Sequence, residues 1–309
     1  MLLPMNKLSR EQRVRIMGMM VEGMSIRAIT RLTGASKNTV AKLLVDAGEA
    51  CREYQERVMV NLGCRRLQCD EIWSFVYAKE KNVPEAKRPK RSPSRPGCGD
   101  DLVGSVWTWT AIDADTKLVP AFHVGTRDAW CACEFMTDLA QRLRGRVQLT
   151  TDGHKAYLEA VHAGFGVEID YAMLVKLYGT EPAGEARYSP PKCIGTRTEV
   201  KQGDPDPEHI STSYAERQNL NMRMGMRRFT RLTNAFSKKC ENHEHALAIY
   251  FMHYNFVRIH QTLRCTPAME AGVTDRLWSI EDMAALVEAR EESASAVTQK
   301  GWTTRRAAK

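Results

Sequence analysis

The hydrophobic pattern of the chain is helical up to Gly63 and first turns strand-like there, which restricts it to a small helical unit followed by a sheet-bearing one. Before Gly63 apolar residues recur at helical spacing. Val14, Met17 and Val21, with Ile16 and Met20 beside them, follow Ser9 as a cap and stop at Gly23. Ser25 opens a second short helix that ends at Gly34, and Ser36 opens a third. Three serine-capped helices joined by tight glycine turns predict a helix-turn-helix unit over residues 1–50, followed by a connecting helix over 51–65. In such a unit the last helix enters the major groove and the helix before it meets phosphates. Ser36, Lys37, Asn38, Thr39 and Lys42 are therefore candidate groove-facing residues, and Arg27 and Arg31 candidate backbone contacts. Any three-helix bundle has polar exposed faces, but here the charges and amides gather at the start of the third helix.

After Gly63 the runs become β-branched and aromatic. The first strand, Arg65 to Tyr77, ends in a charged, proline-rich loop over 79–101. Leu102 to Asp113 forms a second strand and Leu118 to Gly125 a third, which Pro120 consigns to a sheet edge by removing a ladder donor. A helix capped by Thr126 or Asp128 carries the apolar stripe Ala132, Phe135, Met136, Leu139, Ala140 and Leu143. Val147 to Gly153 reads as a fourth strand, His154 to Ala163 as a helix and Ile169 to Leu177 as a fifth strand. The expected fold class is α/β, an N-terminal helix-turn-helix followed by an RNase H-like mixed five-stranded sheet flanked by helices. Residues 180–212, rich in proline, read as an irregular insertion; Ser213 to Phe236 and Glu241 to Arg258 read as long helices. The sheet-bearing domain is expected over 66–272, and 273–309 as a C-terminal helix with a flexible basic tail.

With 309 residues the chain is long enough for two domains, one with a full-sized core. No apolar run approaches the roughly 18 residues of a membrane-spanning helix, so no membrane association is expected. The N-terminus lacks the apolar core of a secretory signal, which points to a reducing cytoplasm for the nine cysteines. Cys64/Cys69 and Cys131/Cys133 lack companions at zinc-site spacing, so a structural zinc is not expected. The net charge of +8 is unevenly spread. Residues 217–239 hold seven basic side chains and no acid, and residues 79–95 hold seven against Glu80 and Glu85. Such clusters are the footprint of a protein that grips a polyanion, or else solvated surface. Lys87, Arg88, Lys90 and Arg91 in the 79–95 cluster, and Arg223, Arg227 and Arg228 in the 217–239 cluster, are candidate DNA contacts.

Three acids stand out by position. Asp70 lies mid-strand, where an ionised side chain is costly unless something pairs with it. Asp152 ends the fourth strand, and Glu216 sits near the start of a helix after a long excursion. In an RNase H-like sheet the first and fourth strands are neighbours, which would set Asp70 beside Asp152. Converging carboxylates repel, and a divalent cation cures the repulsion. Mg²⁺ favours a few carboxylates with waters and phosphate oxygens, and two such ions can clamp an in-line phosphoryl displacement. Other readings stay open at this point: Asp152-Gly153 as a plain turn, Glu216 as an acid favoured by a helix N-terminus, and Glu71 rather than Asp70 as the inward acid.

Cys69-Asp-Glu-Ile-Trp-Ser-Phe, Thr150-Thr-Asp-Gly-His-Lys-Ala-Tyr and Tyr214-Ala-Glu-Arg-Gln-Asn resemble the three catalytic segments of DDE transposases with a retroviral-integrase-like core, in particular the bacterial insertion-sequence-one type. The resemblance runs from the helical unit to about Gly272. It implies a transposase that binds the terminal inverted repeats of an insertion sequence, cleaves DNA strands and joins the 3′-hydroxyl ends to target DNA. It implies Mg²⁺ as a two-metal cofactor that Mn²⁺ can replace, and Asp70, Asp152 and Glu216 as both catalytic residues and metal ligands. Double-stranded DNA would be the partner, with a homo-oligomer assembled on it, in the bacterial cytoplasm at the nucleoid. Asn219, Asn255, Arg258 and His260 would be supporting residues, with His260 either a general base or a helix-end structural residue. Arg223 matches the basic residue that relatives carry two turns beyond the glutamate. The cysteine cluster that some relatives place ahead of the helix-turn-helix is missing. A catalytically silent DNA-binding regulator and an RNase H-fold structure-specific nuclease are the rival readings.

Overall fold

The computed structural model describes residues 7–88, 102–179, 193–230 and 232–307, with only the backbone of Tyr178 and of residues 296–307. Three helices open the chain: α1 (Arg10–Val21), α2 (Ile26–Thr33) and α3 (Lys37–Val58). Their starts are where the serines place them. Ser9 caps α1 in a reciprocal box with Gln12, the Ser25 and Ser36 hydroxyls accept from Ala28 and Thr39 N–H groups, and Gly34 closes α2 at φ 72°. No separate connecting helix exists. The third helix and the expected connector are one element of 22 residues.

That continuity ties the helical unit to the rest of the molecule. The distal half of α3 packs on α7 (Cys240–Met252), where Gly48 lies directly against His245 and Gln55 Nε2 donates to the Ala248 carbonyl at 3.1 Å. Arg52 pairs with Glu244 at 2.9 Å. The C-terminal helix α9 (Ile280–Ala307) clamps the same unit, Arg13 meeting Glu291 and Arg290 meeting Glu49 and Glu53.

The sheet comprises β1 (Arg66–Val76), β2 (Gly104–Asp113), β3 (Phe122–Gly125), β4 (Val147–Thr151), β5 (Ile169–Tyr178) and β6 (Cys193–Gln202), in the order β3-β2-β1-β4-β5-β6. β1, β2 and β3 form an antiparallel meander, and β4 and β5 run parallel to β1. For these five strands this is the order and direction an RNase H-like sheet requires. The sheet has six strands rather than five. β6 pairs antiparallel with β5 inside the stretch read as an irregular insertion; its side chains are mostly exposed, so no apolar face announces it. β3 is an edge strand, and it starts only after Pro120.

Helices cover both faces. Leu67, Cys69 and Glu71 of β1 point toward α4 (Ala129–Arg142) and α5 (Ala156–Phe165), among the buried Phe135, Leu139 and Tyr157. Gln68, Asp70 and Ser74 point toward α6 (Ser213–Gly225) and α7: Gln68 Oε1 accepts from the Tyr214 N–H at 2.7 Å, and Ser74 Oγ lies 3.2 Å from His243 Nε2. α6 ends at Gly225 rather than Phe236, because Met226 turns extended and Phe229 plugs into the core. A short α8 (Pro267–Glu270) follows α7 before α9. No described helix is long and apolar enough to cross a membrane.

Candidate active site

The parallel pairing of β1 with β4 aligns Cys69 with Thr151, so Asp70 and Asp152, one residue on, lie side by side at the carboxyl end of both strands. Gln68 holds the start of α6 against β1 through two backbone N–H groups, which brings Glu216 over the same end of the sheet. The result is an open cavity of about 680 Å³ lined by Asp70, Asp152 and Glu216 together with Arg127, His154, Lys155, Lys176 and Thr212.

Carboxylate oxygens of Asp70, Glu71 and Asp152 lie within 4.8 Å of one another. Glu216 stands slightly apart, its Oε1 accepting from Thr212 Oγ1 at 2.6 Å and from Lys176 Nζ at 2.5 Å. Asp70 accepts from the Glu71 N–H at 2.8 Å and, on its other oxygen, from Asn219 Nδ2 at 2.9 Å. Those bonds stabilise its ionised form, yet burial and the neighbouring Asp152 outweigh them and push its pKa up to about 6. Glu71 turns to the opposite face, its side chain 1% exposed, with Arg127 at 3.4 Å and His154 Nε2 at 3.8 Å. Burial, and then Asp152, raise its pKa to about 8. The His154 imidazole, stacked on Trp109, is pushed below its usual value by burial and by Arg127.

Such a donor set fits a hard divalent cation. Asp70, Asp152 and Glu216 offer carboxylate oxygens toward an open cavity, Asp70 is disfavoured as an anion by burial and by Asp152, and behind them the buried Glu71 Oε1 has no hydrogen-bond partner. Asp70, Asp152 and Glu216 all face the cavity, so both Asp70 and its neighbour Glu71 belong to the acidic cluster, on opposite faces of β1.

The remaining candidates fall into groups. Asn219 touches Asp70 directly. Asn255 is buried far from the acids, where its amide exchanges two 3.0 Å hydrogen bonds with the Val119 backbone and pins the segment before β3. Arg258 and His260 do not line the cavity; His260 Nδ1 lies 3.0 Å from Thr262 Oγ1, a local contact of the chain after α7. On the helical unit Arg27, Arg31, Lys37 and Asn38 are exposed and Thr39 is half-buried. The exposed Ser36 is occupied as a cap, and Lys42 pairs with Asp46 at 2.5 Å. Lys87 is exposed, Arg88 pairs with Glu80 and Glu85, and Lys90 and Arg91, with most of the 79–101 loop, lie outside the described residues. Arg223 and Arg227 face solvent. Arg228 is half-buried and donates to Ser237 Oγ at 3.1 Å, and desolvation lowers its pKa to about 10.

Arg127, His154, Lys176 and Thr212 entered the site without having been singled out in the sequence. His154 lies inside the Thr150 to Tyr157 motif, two residues past Asp152, and could have been found there; the other three come from segments whose proximity only the fold creates.

The sequence matches no protein-family model and no curated protein. Among solved structures it is similar to a Mos1 transposase paired-end complex with a transposon end, at 13% identity over 55% of this chain and 61% of that one, TM-score 0.21. It is also similar to a piggyBac transposase synaptic complex with hairpin DNA, at 10% identity over 94% and 76%, TM-score 0.38, and to a Mos1 mariner paired-end complex with Mn, at 12% identity over 81% and 78%, TM-score 0.21. The chain thus spans less than two thirds of the first of these. Likeness at this level carries no functional argument, and the function has to be read from the cavity.

Proposed function

We propose that this protein is a DNA transposase of the insertion-sequence-one type, which cleaves DNA at the element's terminal inverted repeats and joins the 3′-hydroxyl ends to target DNA. The observation that carries this reading is the convergence of Asp70, Asp152 and Glu216, from β1, the end of β4 and α6, on one open cavity. Three acids so placed are poorly suited to stabilise a fold and well suited to hold divalent cations. When bound, Mg²⁺ or Mn²⁺ at these carboxylates would supply the charge that activates an attacking water or 3′-hydroxyl and stabilises the leaving oxygen.

The chain's own residues do the rest. Asn219 orients the Asp70 carboxylate, leaving its face toward the cavity open. Thr212 and Lys176 steady Glu216. Residues 1–50 serve as the repeat-reading helix-turn-helix, with Lys37, Asn38 and Thr39 at the start of α3 toward base edges and Arg27 and Arg31 toward phosphates. Because α3 continues into the core, reader and cavity move as one body. The solvent-facing Arg223 and Arg227 after Glu216 extend the cationic surface along the bound duplex. Two element ends must be held together for joining, so the working form is a homo-oligomer on DNA at the bacterial nucleoid.

The test is strand cleavage of a labelled duplex carrying the flanking terminal repeat, in Mg²⁺ or Mn²⁺, by the parent, Asp70→Asn and Glu216→Gln. Cleavage at the 3′ end of the repeat by the parent, lost in both variants while repeat binding is kept, is the expected result. Tight binding without cleavage in either metal would favour the regulator reading, and preferential cutting of junctions or RNA hybrids the nuclease reading.

A further inference from the structure

Two arginine-carboxylate arrangements coexist in this protein. Arg142 closes a tight fork on Asp138 with bonds of 2.9 and 2.8 Å, and Arg146 closes one on Asp170 with 2.9 and 2.7 Å. These are committed ion pairs of the usual short, bidentate kind. Arg127, in the turn between β3 and α4, is different. Its guanidinium reaches Glu71 at 3.4 Å and Asp152 at 3.6 Å, shared between two acids at the edge of hydrogen-bond range. The same group lies over the Trp107 ring, 4.7 Å from its centroid, and lines the acidic cavity with its side chain 37% exposed.

We propose that Arg127 grips a backbone phosphate of the DNA strand being cut, with Glu71 behind it as the residue that aims it; this rests on the transposase reading. Three features support the assignment. The guanidinium is held from behind by a buried carboxylate and from one side by an indole face, so its direction is fixed while its outer donors face the cavity. Its planar fork suits two oxygens of one phosphodiester. And a phosphate approaching Asp70, Asp152 and Glu216 is repelled by all three, and the cationic side chains that line the cavity to offset this are Arg127, Lys155 and Lys176. Of these, Lys176 is engaged with Glu216 at 2.5 Å, whereas Arg127 holds Asp152 only loosely. With Asp152 given to a metal ion, Arg127 would keep Glu71 and have its remaining donors free for the phosphate.

The experiment uses the full-length protein and duplexes of the terminal repeat, each with one phosphate replaced by a neutral methylphosphonate. Binding is measured by fluorescence anisotropy in Ca²⁺ for the parent, Arg127→Ala and Arg127→Lys, with Mn²⁺ binding to the DNA-free proteins followed by calorimetry. One methylphosphonate should weaken the parent about tenfold and leave Arg127→Ala unaffected, as the loss of one charge-assisted contact requires. Arg127→Lys should recover part of that sensitivity, Mn²⁺ binding should persist in both variants, and the sensitive position should adjoin the cut. If parent and variant respond alike at every position, or if Arg127→Ala loses Mn²⁺ binding, the assignment falls. If the parent cuts nothing while one position remains sensitive only when Arg127 is present, the transposase reading falls and the phosphate contact stands.

Discussion

Replacing Asp70 by asparagine should make the metal-free protein more stable above pH 6, although it removes the residue most central to the proposed chemistry. The folded state raises the Asp70 pKa from 3.8 to about 6, chiefly through burial and secondarily through Asp152. A raised carboxyl pKa means that the protonated form is favoured on folding. The penalty is therefore absent below the unfolded value, grows as pH rises through 6 and is complete above it. At about 1.4 kcal/mol for each pH unit, the displacement from 3.8 to about 6 costs the ionised protein about 3 kcal/mol. Against this, Asp70 accepts hydrogen bonds on both oxygens, from Glu71 N–H and Asn219 Nδ2, and asparagine has one oxygen to offer. Losing one bond costs about 1 kcal/mol. The net expectation is a variant more stable by about 2 kcal/mol at pH 8, the gain vanishing or reversing near pH 4. Urea unfolding of both proteins in EDTA at the two pH values measures this, and excess Mn²⁺ should then raise the parent's midpoint more than the variant's. A variant less stable at both pH values, or a difference that ignores pH, would refute the claim that Asp70 is held against electrostatic strain.

Other expectations follow from the same geometry. A Cβ at Gly48 would lie 2.3 Å from the Cβ of His245, so Gly48→Ala should lower the unfolding free energy measured in urea by about 1–3 kcal/mol through overpacking between α3 and α7, despite the better helix propensity of alanine. Arg31→Ala should weaken duplex binding evenly across sequences and reduce the slope of log affinity against log salt by about one, whereas Asn38→Ala should relax base preference at one position; a salt slope unchanged in Arg31→Ala would remove it from the DNA interface. Arg228→Ala should lower stability and reduce the salt slope less than Arg31→Ala does, because its half-buried guanidinium is tied to Ser237.

What could be read from the sequence follows the range of each interaction. The serine caps and Gly34 are local signals, and the ends of α1, α2 and the start of α3 fall where they place them. Asp70 beside Asp152 was inferable from strand order, since β1 and β4 must be neighbours in the sheet their pattern implied. β6 lies in a stretch whose prolines read as irregular, and it buries almost nothing; its alternating β-branched Ile194, Thr196, Thr198 and Val200 is the available signal. α6 is shorter than the helix expected to reach Phe236, because the chain turns extended after Gly225 and the buried Phe229 is drawn into the core. Arg127 and Lys176 had no local mark at all: each is one cation among 45 basic residues until the sheet brings it to the acids. Arg228, grouped with a basic cluster on charge alone, is half-buried and donates to Ser237, a contact with no local mark in the sequence.

If Asp70, Asp152 and Glu216 together carry out phosphoryl transfer on DNA, the protein must join a 3′ end to target DNA through them. A terminal-repeat duplex with a free 3′-hydroxyl is incubated with supercoiled target DNA, Mn²⁺ and either the parent or Asp152→Asn. The account predicts a branched product from the parent in which the donor 3′ end is covalently linked to target, and none from the variant although it still binds the repeat. Joined product at undiminished rate from Asp152→Asn, or a parent that binds both DNAs and never links them, would contradict it.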